Sequence, residues 1–288
     1  AAGEYSGMTL HELIQQSGEA LLGPAIYHQI NRGEQPDRLR GRFPLLLKFL
    51  DANKTLSVQV HPDDKAGMQK EVPDLGKTEA WYVMDAVPGS KIYCGLKSGV
   101  DRQQLASAVA GKTTDQVLHT FEPNPGDCIF VPAGTVHAIG DGLLIAEIQQ
   151  SSDTTYRLFD WNRVDADGQP RELHIDQALE VTDYERGPVD PQPGSDLQDE
   201  RVKELIQCDK FVIRRWSLQQ DQVELPLAAS FGLIMVVEGA ISVAGDPVGK
   251  PLAKGQSMLL PAALGAATLQ CETATRFLEI RVPTASVQ

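Results

Sequence analysis

Apolar and polar residues alternate strictly through Thr55-Leu-Ser-Val-Gln-Val-His61. An extended chain places Leu56, Val58 and Val60 on one face and Thr55, Ser57, Gln59 and His61 on the other. Further short stretches at 79–84, 91–94, 127–131, 143–149 and 156–159 carry strand character, in a chain punctuated by Gly and Pro. Helical spacing is rarer. Thr9-Leu-His-Glu12 reads as a capping box opening a helix to about Leu22. Other helical stretches fall at 63–71, 101–110 and 172–181. Many short strands with few helices predict a mainly β chain folded as antiparallel barrels or sandwiches. Between Tyr184 and Glu200, Pro and Gly gather among Asp, Gln and Ser, as in a linker. Strand-like segments resume at 211–216, 231–237, 240–243, 256–260 and 277–282. The expected organisation is a first domain over residues 1–183, a linker over 184–204 and a second β-domain over 205–288.

Composition narrows the partners. The 288 residues carry 26 Lys and Arg against 39 Asp and Glu, a formal charge of -13. A surface this acidic repels polyanions, so neither nucleic acid nor an anionic membrane is an expected partner, whereas a small anion held by one or two local cations is. Cys94, Cys128, Cys208 and Cys271 are scattered with no CxxC pair, which excludes a disulfide framework and a thiolate zinc site and fits a cytoplasmic location. The longest apolar runs are too short to cross a bilayer, and the opening Ala-Ala-Gly-Glu-Tyr shows no signal-peptide pattern.

Candidate chemistry sits in the first part of the chain, since no histidine follows His174. Gln59 and His61 share a strand face about 7 Å apart, two steps of the strand rise. That face either lines an interior or lies wet on an exposed edge. Lys77 and Glu79 repeat the spacing, as a functional pair or as a surface salt bridge. More specific is Gly126-Asp-Cys-Ile-Phe-Val-Pro-Ala-Gly-Thr-Val-His137, where a Pro-x-Gly bend holds a histidine rigidly, as a metal ligand must be held. This has the pattern of the second cupin motif. Two imidazoles, a carboxylate and an amide, His61, His137, Glu79 and Gln59, make a metal sphere suited to zinc or to non-haem Fe(II). Glu147 and Arg157, leading away from the His137 hairpin, are candidates for acid–base or charge-stabilising roles. His11, His28, His119 and His174 read as ordinary surface or packing residues.

Taken together, Leu56-Ser-Val-Gln-Val-His-Pro-Asp-Asp64, Lys77-Thr-Glu-Ala-Trp-Tyr82, Val131-Pro-Ala-Gly-Thr-Val-His-Ala138 and Glu147-Ile-Gln-Gln-Ser-Ser-Asp-Thr-Thr-Tyr-Arg157 resemble the zinc-dependent type I mannose-6-phosphate isomerases in their short bacterial form. The resemblance implies one Zn2+ per chain on Gln59, His61, Glu79 and His137. It implies a sugar-phosphate pocket lined by Lys77, Glu147 and Arg157, and a monomer or homodimer is expected. It implies two cupin-like β-barrels of jelly-roll type with helical insertions in the N-terminal half, the second, with Gly255-Gln-Ser-Met-Leu-Leu-Pro261 and no histidine, metal-free. The expected reaction interconverts mannose 6-phosphate and fructose 6-phosphate. A cupin dioxygenase and a non-catalytic sugar-binding cupin are the alternatives.

Overall fold

Thr9 closes the capping box expected of it. Its hydroxyl accepts from the Glu12 amide (3.2 Å) and the Glu12 carboxylate accepts from the Thr9 amide (2.7 Å), satisfying donors that a helix start leaves without intrahelical partners. Helix α1 (Leu10–Leu22) follows and buries Ile14, Gly18 and Leu22. Helix α2 (Pro24–Ile30), which the sequence pattern did not announce, starts on a proline whose missing N–H costs nothing there. The computed structural model describes residues 5–33, 36–164, 167–227 and 230–283. Among them no helix is long and apolar enough to cross a membrane.

Contacts divide the chain into two units, Leu45–Gln192 and a second made of the residues up to Pro44 together with those from Pro193. The strands of the first unit are β1 (Leu45–Ala52), β2 (Val58–Val60), β3 (Glu79–Ala86), β4 (Ile92–Leu96), β5 (Leu118–Phe121), β6 (Cys128–Val131), β7 (His137–Ile139), β8 (Leu143–Gln150) and β9 (Tyr156–Phe159). They form two antiparallel sheets, ordered β1-β8-β3-β6 and β5-β4-β7-β2-β9. Trp81, Val83, Ile129 and Ile145 from one sheet and Ile92, Cys94 and Ile139 from the other make a common core. Helices α3 (Asp64–Met68), α4 (Arg102–Ala110) and α5 (Ile175–Val181) complete the unit. Val58, Val60, Ala138 and Leu158 turn outward from the five-stranded sheet onto Leu105 and Val109 of α4 and Ala178 and Leu179 of α5. This packing decides the question left open by the alternation in β2. Its apolar face lies under helices, so Gln59 and His61 point into the barrel and are not a wet edge.

The second unit has strands β10 (Ser195–Asp196), β11 (Val202–Gln207), β12 (Val212–Leu218), β13 (Gln222–Pro226), β14 (Gly232–Glu238), β15 (Ala240–Val243), β16 (Leu252–Ala253), β17 (Ser257–Leu260), β18 (Ala266–Gln270) and β19 (Thr275–Arg281). Its sheets are ordered β10-β11-β12-β19-β14-β17 and β13-β18-β15-β16. Trp216, Leu218, Val223, Leu225, Ile234, Val236, Leu260 and Phe277 join in one apolar core, with the Trp216 and Phe277 rings stacked at 6.1 Å.

Both expected boundaries shift. Residues up to Pro44, assigned by sequence to the first domain, belong with the second. The Phe231 amide donates to the Leu22 carbonyl (3.3 Å) and the Phe43 and Phe231 rings lie 5.0 Å apart. An amphipathic stripe records that a helix has a buried face and says nothing about which core receives it. Nor is 184–204 a free linker. Val189 is buried and its amide donates to the Cys94 carbonyl (3.1 Å), while the Gln192 amide donates to the Cys128 carbonyl (2.7 Å). Gly95 makes this crossing possible: its φ is +80°, and a Cβ there would stand 2.2 Å from the Gly187 carbonyl oxygen. Past Gly194, β10 pairs antiparallel with β11.

Candidate active site

Three strands bring the metal-ligand candidates together. Gln59 on β2 is paired directly with His137 on β7, and the Gly134 amide of the Pro-x-Gly bend donates to the His61 carbonyl (2.8 Å). On the facing sheet, Glu79 opens β3 with its side chain on the inward parity shared by Trp81 and Val83. His61, Glu79 and His137 are each 1% exposed, and one ligand atom from each falls within 4.8 Å of the others. His61 Nε2 is 3.4 Å from Glu79 Oε1, and His137 Nε2 is 3.8 Å from Glu79 Oε2. The carboxamide of Gln59 lies 3.3 Å from His137 Nε2.

Hydrogen bonds fix which imidazole nitrogens face this point. His61 Nδ1 is 2.9 Å from the Thr154 carbonyl and His137 Nδ1 is 2.9 Å from the Thr135 carbonyl. A carbonyl only accepts, so both Nδ1 atoms carry the proton and both Nε2 atoms present lone pairs toward Glu79. Burial lowers both imidazole pKa values, against the opposing pull of Glu79, which keeps the rings neutral. Burial alone would raise the Glu79 carboxyl, but the Lys77 ammonium beside it outweighs this and holds it below the usual carboxylate range. Glu79 Oε1 is buried and accepts no well-aligned hydrogen bond, Lys77 Nζ meeting it as an ion pair at 2.8 Å. Neutral imidazoles with their donor nitrogens aimed at an ionised carboxylate are a set of groups that could hold a metal ion.

Around this centre lie further polar groups. Lys77 Nζ is also 3.3 Å from His61 Nε2. Glu147 faces inward from β8, 5% exposed, and its pKa is raised, first by burial and then by Glu79. Lys48 on β1 pairs across the ladder with Glu147 and donates to its Oε2 at 2.7 Å and to the Gln149 side-chain oxygen. Neither Lys48 nor Gln149 was singled out by sequence reasoning. The available signal was a single cation within the apolar run Leu45-Leu-Leu-Lys-Phe-Leu50 just after Pro44.

Arg157 does not join the ligand cluster. It sits next to Gln59 in the ladder, its Nε donating to Ser57 Oγ (3.2 Å) and its Nη1 to the Glu172 carbonyl (2.8 Å). It helps line a cavity of about 520 Å3 that Gln59, Lys54, Arg163 and Arg171 also border. His174, read from sequence as ordinary packing, exchanges backbone-level hydrogen bonds with Arg157, its amide donating to the Arg157 carbonyl and its Nδ1 accepting from the Arg157 amide.

A family model described as phosphomannose isomerase type I, catalytic domain, matches residues 3–83, and one described as mannose-6-phosphate isomerase, cupin domain, matches residues 201–276. The mannose-6-phosphate isomerase ManA of Bacillus subtilis (strain 168) is 39% identical over 268 residues, covering 91% of this chain and 79% of that protein. This chain belongs to the type I mannose-6-phosphate isomerase family. The mannose-6-phosphate isomerase of Streptococcus mutans is 38% identical over 220 residues, 76% of this chain and 68% of its own. The crystal structure of the mannose 6-phosphate isomerase from Bacillus subtilis superposes with a TM-score of 0.80 at 31% identity, over 97% of this chain and 84% of that one. As a member of this family, the chain has the mainly β, cupin-type architecture expected from its motifs.

The cations beside Gln59 are organised by one carboxylate. Asp160 is 6% exposed and is gripped by both Arg163 and Arg171, the Arg171 Nε standing 2.7 Å from Oδ2. Burial would raise its pKa, but hydrogen bonds from Arg171 and Arg163 outweigh that and lower it. A carboxyl held below its unfolded value, about 3.9, stabilises the fold above that pH and stops doing so as pH falls through the folded value. Asp160→Asn is therefore expected to lower the unfolding temperature at pH 7, with the gap to the unaltered protein closing below about pH 4. Thermal scans from pH 7 to pH 3 on both proteins check this; a gap independent of pH would mean the clamp is not held by charge.

Proposed function

We propose that the chain is a zinc-dependent isomerase that interconverts mannose 6-phosphate and fructose 6-phosphate. The observation that carries this reading is the pair of buried imidazoles with unprotonated Nε2 atoms turned on Glu79, placed beside a cation-lined cavity. His61, His137 and Glu79 would hold the metal, with the Gln59 carbonyl oxygen as a fourth donor after rotation of its amide. The bound ion would supply electrophilic stabilisation of negative charge on the sugar oxygens.

The chain's own groups do the rest. Aldose–ketose conversion takes a proton from C2 of the open-chain sugar and returns it to C1, while the hydroxyl proton moves from O2 to O1. A base is needed within hydrogen-bond reach of both carbons. Glu147 suits that role, because burial raises its pKa toward working pH and Lys48 keeps it oriented. Lys77, fixed on Glu79, would donate to a sugar oxygen. Arg157, Arg163, Arg171 and Lys54 offer planar forks and a point charge for the phosphate. The four free cysteines suit the reducing cytoplasm in which we place the protein.

The test is a coupled assay for fructose 6-phosphate formation before and after chelation, with metal analysis of the protein as isolated. Expected are activity lost on chelation, restored by added zinc, and zinc near one per chain. Chelator-resistant turnover would remove the metal from the reading, and iron with oxygen-dependent chemistry would favour a dioxygenase.

A further inference from the structure

His61 and His137 are oriented in different ways. The carbonyl that fixes His137 is that of Thr135, two residues before it at the Pro-x-Gly bend. The carbonyl that fixes His61 belongs to Thr154, 93 residues away, in the irregular stretch between β8 and β9. A hydrogen bond of that kind orients a ring only if the distant segment is itself held. Asp74 holds it. The carboxylate is 2% exposed, and its Oδ2 accepts from the Thr154 hydroxyl (3.0 Å), the Ser152 hydroxyl (3.1 Å) and the Asp153 amide (3.3 Å). Its Oδ1 accepts from the Leu75 amide (3.0 Å), which ties the carboxylate to its own loop. The Thr154 hydroxyl in turn accepts from the Lys70 ammonium, and the Ser152 hydroxyl also lies 2.8 Å from the Leu75 carbonyl.

We infer that Asp74 is a positioning residue for the metal centre, acting through Thr154 to keep the His61 ring in its ligating tautomer and orientation. This rests on the reading of His61 as a metal ligand. Burial would raise the pKa of an isolated carboxyl at this place, but hydrogen bonds from Thr154, Leu75, Ser152 and Asp153 outweigh it and lower it, so the anchor is ionised at working pH. Groups that orient a ligating histidine from behind typically contribute about 10–100-fold in metal affinity.

The test measures zinc affinity of the full-length protein, stripped and reloaded, by competition with a chromophoric chelator. Far-UV circular dichroism checks the fold, and the visible absorption of Co2+-loaded protein reports ligand geometry. Asp74→Asn keeps the shape and removes the charge. Thr154→Val keeps the carbonyl that meets His61 and removes the hydroxyl that meets Asp74; Thr154→Ser restores that hydroxyl. Expected are a zinc affinity lower by about 10–100-fold and an altered Co2+ spectrum in Asp74→Asn and Thr154→Val, with Thr154→Ser close to the unaltered protein. If Asp74→Asn does not fold, the Thr154→Val and Thr154→Ser pair decides. Folded variants that bind zinc as tightly as the unaltered chain overturn the positioning role and leave the metal centre standing, as does equal weakening in Thr154→Ser. An unaltered chain that takes up no zinc overturns both.

Discussion

His61→Ala protein is expected to lose metal and isomerase activity together. The ring is 1% exposed and both of its nitrogens are committed, Nδ1 to the Thr154 carbonyl and Nε2 toward Glu79. Alanine removes one of the three buried donors and leaves the Thr154 carbonyl without its partner. Loss of a donor itself should exceed the roughly 10–100-fold decrease typical of groups that merely orient one. Metal content by elemental analysis and turnover in the coupled assay are the two readouts. His119→Ala serves as a control, because His119 pairs with Asp190 near the surface and touches none of the ligand candidates. A His61→Ala protein that still carries a full metal complement and turns over would show that the ligand set is wrong.

Glu147→Gln should lower kcat by about 10²–10⁴-fold, the usual contribution of a positioned acid–base group, while the metal stays bound. The substitution keeps size and shape but removes the ability to take up a proton. Two opposing influences act on this carboxylate. Burial and the nearby Glu79 raise its pKa, whereas Lys48, 2.7 Å away, and Lys77 lower it. The outcome is a carboxylate more basic than one in water and oriented by an ammonium group. Lys77 is the rival, but its Nζ is already engaged by Glu79 at 2.8 Å. Steady-state kinetics on Glu147→Gln and Lys48→Met separate the roles. Loss of kcat in both, with normal metal content, supports a paired function. Near-normal turnover in Glu147→Gln would take the base role away from it and leave the lysines to be tested in turn.

How far each element could be read from the sequence depended on the range of the interaction behind it. The cap at Thr9 involves a side chain and an amide three residues apart, so composition and spacing reveal it. The ligand candidates were legible for a similar reason: the two-residue spacings of Gln59 with His61 and Lys77 with Glu79, and the Pro-x-Gly bend before His137, are local patterns. Lys48 was not, because it lies in an otherwise apolar run. Its importance comes from facing Glu147, 99 residues away, across a ladder whose register no local pattern states. The domain boundary failed on the same ground, since the apolar faces of α1 and α2 could have joined either core.

The sequence by itself determined which chemical groups this protein has available and how they are spaced along each strand: two imidazoles, a carboxylate and an amide on short extended segments with fixed side-chain parity. Only the tertiary structure decided that this parity turns inward, because α4 and α5 cover the apolar side of β2, so that His61 is buried and Gln59 borders the cavity. It alone also set Lys48 against Glu147 and Asp74 behind Thr154. The alternation of side chains is a property of one extended backbone. Which of its two faces is buried, and what stands opposite, follows from the burial of distant segments against one another.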